Sequence, residues 1–321
     1  MKRILITGAR GQIGSDLVLA LRQTEADPYV VGTDLRGSSD SDRNGENLPF
    51  EHLDVTDRNA LFESIKRHRI DTIYHLASLL SAKGEREPDL AWKVNVEGLR
   101  NVLELARETG LQVFWPSSIA VFGPGLPDGR AEQQSALVPR TMYGVTKVAG
   151  ELLCNYYHLR FGVDVRSLRY PGLISYSAPP GGGTTDYAVE IFHAAAEGRP
   201  YTSFLVADQR LPMMHMEDAI RASIEIMLAD QSNLTVHTSY NLSAVSFSPS
   251  EVAEEIRRHI PGFECSYEPD FRQRIAETWP ESVDDRVARR DWGWKHRYDL
   301  PGIVTSMLDH LIPSRVTAST Y

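Results

Sequence analysis

Short apolar runs alternate with stretches of helical periodicity through the first half of the chain. Arg3 to Thr7, Tyr29 to Thr33, Thr72 to His75, Gln112 to Trp115 and Asp164 to Arg169 read as strands with few polar positions, as strands covered on both faces require. Between them, apolar residues return every three or four positions over Gln12 to Arg22, Arg58 to His68, roughly Asp89 to Glu108, and Tyr143 to Phe161, which predicts helices. Strand then helix, repeated, predicts an α/β fold with a doubly wound parallel sheet.

The rhythm breaks after Leu173 into a run rich in proline, glycine and hydroxyl residues ending Thr184-Thr185-Asp186, and helical periodicity resumes over Tyr187 to Glu197. We place a change of unit here. Residues 1–173 with 212–243 are expected to form the larger domain, residues 174–211 with 244–311 a smaller C-terminal substrate-binding lobe, and residues 312–321 a tail. Met216 to Leu228 reads as a further sheet-covering helix, and Ser248 to His259 as a helix of the smaller lobe. Trp292 and Trp294 are expected in that lobe's core, and Asp34 to Leu48 as a polar loop.

Composition narrows the function classes. The 321 residues are 42% hydrophobic and 24% charged, with a net charge of −9 and a pI near 5.6, so no basic field for nucleic acid is available. The two cysteines, Cys154 and Cys265, stand far apart without Cys/His clustering, which gives neither a disulfide framework nor a zinc site. No run approaches the ~18 apolar residues of a membrane helix, and the apolar start Ile4-Leu5-Ile6 stops at a glycine turn as a first strand does. A cytoplasmic, unprocessed protein acting on a small molecule is expected.

That first strand runs into Gly8-x-x-Gly11-Gln12-Ile13-Gly14, whose spacing permits a tight turn, close backbone approach to a pyrophosphate, and a helix N-terminus aimed at the anion. Asp34 follows 20 residues after Gly14, at the end of the second strand, where a carboxylate accepts from the ribose hydroxyls and repels a 2′-phosphate. A Rossmann-type NAD site is therefore expected, with Arg36 nearby as the feature that would suit NADP. Asp54 and Val55, after a third strand, fall beside the adenine edge. Leu76, Ala77 and Ser78, after the fourth, fall beside the dinucleotide; both sets are equally consistent with plain strand ends.

The candidate chemistry lies further on. Tyr143 and Lys147, one helical turn apart, follow 25 residues behind Ser118. A spacing of four puts phenol and ammonium on one helix face, where the cation lowers the tyrosine pKa and makes it a usable proton acceptor.

Taken in order, the glycine turn, Asp54-Val55, His75-Leu-Ala-Ser, Asn95, Pro-Ser-Ser118-Ile-Ala-Val-Phe-Gly, Tyr143-x-x-x-Lys147 and Arg169-Tyr-Pro-Gly resemble the extended short-chain dehydrogenase/reductase superfamily over residues 1 to about 310. The resemblance implies that Ser118 holds the reacting oxygen, Tyr143 moves the proton, and Lys147 binds the nicotinamide ribose. It implies that Pro171 and Leu173 flank the nicotinamide and adds Asn95 to the cofactor set. Leu79-Leu80-Ser81-Ala82, the stretch from Arg169 through Phe192, and Trp279-Pro-Glu-Ser-Val-Asp-Asp are similar, more narrowly, to the short-chain type of L-threonine 3-dehydrogenases. This implies NAD-dependent oxidation of L-threonine to 2-amino-3-oxobutyrate in a homodimer, without a metal. Arg10 within the glycine turn, and serine where many relatives use threonine at position 118, are departures that remove no functional group.

A threonine zwitterion also needs binding groups. Thr184, Thr185 and Asp186 stand where a helix begins, so free amides and hydroxyls there suit a carboxylate, although helix capping by Thr185 or Asp186 accounts for them as well. Ser81 is a candidate substrate contact, and Trp279 a wall for the threonine methyl group or a core aromatic. His215 and the methionines around it read as structural. Two rival readings use the same residues: a nucleotide-sugar epimerase that retains its NAD, and a non-enzymatic NAD-sensing regulator.

Overall fold

The computed structural model describes residues 1–36, 49–177 and 183–312, so most of the loop expected over Asp34 to Leu48 and nearly all of the tail lie outside the described residues. Along the chain the strands are β1 (Arg3–Thr7), β2 (Tyr29–Asp34), β3 (Phe50–His52), β4 (Thr72–His75), β5 (Gln112–Ser118), β6 (Arg130–Ala131), β7 (Val165–Tyr170) and β8 (Gly172–Ile174). Then come β9 (Tyr201–Ser203), β10 (Leu211–His215), β11 (Tyr240–Asn241), β12 (Val245–Phe247), β13 (Cys265–Tyr267) and β14 (Ser282–Val283). The helices are α1 (Gln12–Arg22), α2 (Arg58–His68), α3 (Ser81–Arg86), α4 (Pro88–Trp92), α5 (Gly98–Thr109) and α6 (Met142–Phe161). They continue with α7 (Tyr187–Ala196), α8 (Met216–Leu228), α9 (Pro249–His259), α10 (Phe271–Ala276), α11 (Arg286–Trp292) and α12 (Leu300–Leu311).

Seven strands form one parallel sheet in the order β11-β7-β5-β4-β1-β2-β3, which is the expected Rossmann-like architecture. The order reverses between β1 and β4, so the loops after these two strands diverge and leave a crevice at the strands' C-terminal ends. One core beneath the sheet joins Leu5, Ile73, Val113 and Trp115 to α2, α5 and α6, and another on the opposite face joins Ile6, Phe114 and Leu168 to α1 and α8. A separate core gathers α7, α9 and α12 around Phe192, Ile256 and Met307. No helix among the described residues is long and apolar enough to cross a membrane.

Three elements depart from the sequence reading. β5 runs through Pro116 to Ser118 instead of ending at Trp115. Even-numbered residues of β5 turn their backbone groups toward β4, as the Gln112 amide does on Asp71. By this register the next acceptor, for residue 116, is the His75 carbonyl at the last residue of β4, and Pro116 has no N–H to give it, so the β4–β5 ladder ends there while β5 continues against β7. The helix expected over Asp89 to Glu108 is broken by a π turn at Lys93–Glu97, whose extra residue carries Asn95 into the interior. Trp292 and Trp294 pack against Tyr240, Leu168 and Ile226 on the sheet's flank, not in the smaller lobe's core where their sequence neighbours put them. After β14 the chain returns through α11 to cover the edge strand β11, and aromatic residues alone do not say which apolar surface they will cover.

Candidate active site

The crevice holds two adjoining cavities. An outer one of about 510 Å³ is lined by Asp34, Asp54, Val55, Ala77 and Val94 among others, and an inner one of about 240 Å³ by Ser118, Tyr143, Lys147 and Trp279 among others. They share Gly8, Gly11, Leu76, Ser78 and Leu80, which makes them one groove running from the end of β2 across the sheet to the end of β5.

The glycine turn is built for close approach. Gly8 has φ of +70°, and a β-carbon there would lie 2.8 Å from the Ala77 nitrogen; one at Gly14 would lie 2.3 Å from the Gly8 carbonyl oxygen. Helix α1 begins at Gly11 with no side chain capping its amides and no acidic residue in its first turn, which leaves an anion-receptive end facing the groove. At the far end the Asp34 carboxylate accepts from the amides of Arg10 at 3.2 Å and Arg36 at 3.0 Å. The Arg36 guanidinium is itself engaged, by Asp34 at 3.3 Å and by the Arg10 carbonyl at 2.8 Å, so it is not held ready for a 2′-phosphate. A glycine cradle, an open helix terminus and a ribose-height carboxylate fit a bound NAD.

At the inner end, Gly144 lets α6 abut the turn after Ser118. A β-carbon at Gly144 would lie 2.2 Å from the Ala120 carbonyl oxygen, so only glycine brings Tyr143 this close. The helix is started by Thr141, whose hydroxyl accepts from the Gly144 amide at 3.1 Å. The Tyr143 phenol and the Ser118 hydroxyl both line the inner cavity, near enough for the serine to favour the phenolate. The Lys147 ammonium donates to the Pro116 carbonyl at 2.6 Å, the group that β4 leaves unpaired, and sits 4.6 Å from the centre of the Trp115 ring.

Electrostatics in this site differ from the sequence expectation. Burial pushes the Tyr143 phenol up to about 12, opposed by the Ser118 hydroxyl, and Lys147 is not among the groups that lower it. Burial also pulls Lys147 down to about 7, opposed by Cys154 and Glu151. The expected depression of the phenol by the lysine is therefore not a property of the protein by itself, because desolvation acts on both groups and outweighs their attraction.

All the proposed cofactor and substrate positions line the groove except Asn95. Asn95 lies behind the wall, where its amide bonds Ser78, both backbone groups of Leu79, and Thr146 on α6, tying the β4 loop to the catalytic helix. Ser81, Thr184, Thr185, Asp186, Pro171, Leu173 and Trp279 meet around the inner cavity. Asp186 takes the Gly183 amide at 2.7 Å, so that donor is already used, while Gly181 and Gly182 lie outside the described residues. The sequence reading missed Tyr170 and Gly172, which bracket Pro171, and Pro116 and Ser117, which precede Ser118. Gly172 has its own signal in hindsight, since a β-carbon there would meet Thr185 at 2.8 Å and the Met213 sulfur at 2.4 Å. His215 is fully buried outside the groove; its ring caps α8, bonds Ser306 at 3.1 Å and stacks on Tyr298, a structural role.

Residues 4–243 match the NAD dependent epimerase/dehydratase family, and the chain belongs to it. It is an NAD-dependent oxidoreductase of that family. A relative from Staphylococcus haemolyticus, described as an uncharacterized epimerase/dehydratase, is 49% identical over 96% of this chain and 97% of its own length. Among solved structures, the GalE-like L-threonine dehydrogenase from Cupriavidus necator in its holo form is 52% identical with a TM-score of 0.92, covering 96% of this chain and 99% of that one. A monomeric L-threonine 3-dehydrogenase of metagenomic origin is 45% identical with a TM-score of 0.92, covering 97% of this chain and 99% of that one.

Proposed function

We propose that the protein oxidises the β-hydroxyl of L-threonine to give 2-amino-3-oxobutyrate. The observation that carries this reading is the convergence of Ser118, Tyr143 and Lys147 at the inner end of a groove that fits NAD, on a small cavity bordered by Thr184, Thr185, Ser81 and Trp279. NAD⁺, when bound, supplies the hydride acceptor and a positively charged ring. The glycine turn, Asp34, Asp54, Val55, Leu76, Ala77, Ser78, Pro171 and Leu173 would hold it, and Lys147 would bind its ribose. Ser118 donates to the substrate oxygen and keeps it in near-attack position. Tyr143, as phenolate, takes the hydroxyl proton while the carbonyl forms. In this reading the larger domain holds the cofactor, and residues 174–211 with 244–311 bring Thr184, Thr185, Asp186 and Trp279 to the amino acid. An inner cavity of about 240 Å³ suits a small amino alcohol better than the sugar diphosphate of an epimerase.

Mixing the purified protein with NAD⁺ and L-threonine tests this directly. Absorbance at the NADH band should grow with threonine, and kcat/KM should climb with pH from neutral into the alkaline range, because the phenolate that burial disfavours is populated only as pH rises. A protein that converts a uridine diphosphate sugar and leaves threonine untouched is an epimerase. One that binds NAD and turns over neither is a sensor.

The homodimer is likewise proposed. Helix α6 leaves Val145, Leu152, Tyr156 and Leu159 exposed on its outer face, a stripe that a second copy would cover. Light scattering at micromolar concentration should give twice the 36.0 kDa chain mass. A single-chain mass there removes the dimer and aligns the protein with the monomeric relative.

A further inference from the structure

We propose that Glu151 is a positioning residue for the Lys147 ammonium: a buried carboxylate that both ties together the strand ends carrying the catalytic groups and keeps the lysine cationic. The inference rests on the roles given above to Tyr143 and Lys147. Tyr143, Lys147 and Glu151 occupy successive turns on the inward face of α6, and Lys147 and Glu151 are 2% and 0% exposed. One Glu151 oxygen accepts from the Ser117 hydroxyl at 2.6 Å and from Arg169 Nε at 2.9 Å, and the other accepts from Arg169 Nη2 at 2.7 Å. Ser117 is the residue between Pro116, whose carbonyl holds Lys147, and Ser118, whose hydroxyl shares the inner cavity with Tyr143. Arg169 pairs across the strands with Ser117 and precedes Tyr170 and Pro171 in the groove wall. A single carboxylate thus fixes β5 at the residue joining both catalytic contacts, fixes β7 beside it, and stands one turn from the cation.

A buried ion pair is weak evidence for a contribution to stability, since well-packed apolar residues often replace such pairs at no loss. Arg169 has further acceptors in the Gln133 carbonyl and the Asn241 side chain, so its own burial does not require a carboxylate with this geometry. Lys147 has a different need. Its immediate surroundings are the Trp115 ring, Tyr143, the buried thiol of Cys154 and the neutral His75, whose ring burial holds down to about 3. Burial raises the Cys154 thiol, which keeps it uncharged at neutral pH, so Glu151 is the anion left to support the ammonium.

The test is Glu151→Gln, read in two ways. Competitive labelling of Lys147 with acetic anhydride across pH, in protein free of cofactor and substrate, should show its titration midpoint falling by about one unit. The pH dependence of turnover should shift with it, so that at pH 7 the protonated fraction of Lys147, and kcat with it, falls about fivefold while KM for the amino acid is little changed. Glu151→Asp should recover part of both shifts. The double variant Glu151→Gln/Arg169→Gln removes the anion together with its paired guanidinium, so it separates folding from titration: it should fold as the wild type does, and because a neighbouring cation leaves with the anion its Lys147 midpoint should fall by less than in Glu151→Gln. A wild-type midpoint in folded Glu151→Gln overturns the proposal, as does a single variant whose loss is wholly in thermal stability. The labelling arm needs no substrate, so absence of threonine oxidation by the wild-type protein would sink the proposed reaction and not this inference.

Discussion

Tyr143→Phe is expected to abolish turnover of L-threonine, lowering kcat by about 10²- to 10⁴-fold, the span associated with losing a positioned proton acceptor. NAD affinity, measured by nucleotide fluorescence or calorimetry, should stay within about twofold. The change removes one oxygen and adds no volume, the ring stays at the start of α6, and Ser118 keeps the Ala120 amide as a partner at 3.2 Å. The glycine turn and Asp34, which lie at the other end of the groove, are untouched. Joint loss of binding and turnover would make Tyr143 a cofactor contact and not the proton acceptor. Residual turnover within tenfold of wild type would mean that another group takes the proton.

Lys147→Met should also stop catalysis, yet leave a more stable protein at neutral and mildly acidic pH. Burial brings the folded-state pKa to about 7, from the ordinary lysine value of 10.5. Below pH 7 folded and unfolded chains both carry the proton, so the full penalty of burying an ammonium is present. Between 7 and 10.5 the folded chain has released its proton while the unfolded chain holds it, so stability rises with pH across that window. Methionine fills similar volume and pays no such penalty. At about 1.4 kcal/mol per unit the gain is on the order of a few kcal/mol below pH 7, against about 1 kcal/mol for leaving the Pro116 carbonyl without its donor. Melting curves at pH 6 and pH 10 check it: the difference between variant and wild type should be positive at pH 6 and should shrink or reverse at pH 10. A variant that is less stable at both pH values, by the same margin, would show that the lysine is favourably solvated where it lies.

That a residue should be both necessary and destabilising fits the way the site is assembled. Tyr143 and Lys147 are brought into a dry floor by Gly144 and Gly150, where β-carbons would strike the Ala120 carbonyl and the Trp115 ring. Dryness strengthens every attraction inside the site and penalises every unpaired charge. Glu151 and Arg169 behind the groove wall, with Ser117 in it, are the compensation the fold provides.

Much of this was legible in the linear order of residues, and for a definable reason. Strand and helix periodicities, the Gly8 to Gly14 turn, Asp34 at a strand end, and the four-residue step from Tyr143 to Lys147 are local patterns, encoded within one or two turns of backbone. Local patterns say which face of an element is apolar and which residues share it. They do not say what covers that face. The unpaired Pro116 carbonyl depends on where β4 happens to stop; Asn95 reaches the β4 loop only because a π turn carries it inward; Trp292 and Trp294 cover the sheet flank and not the smaller lobe. The titration of Tyr143 and Lys147 belongs here too, since it is ruled by desolvation, and the water each group loses is removed by residues distant in the chain.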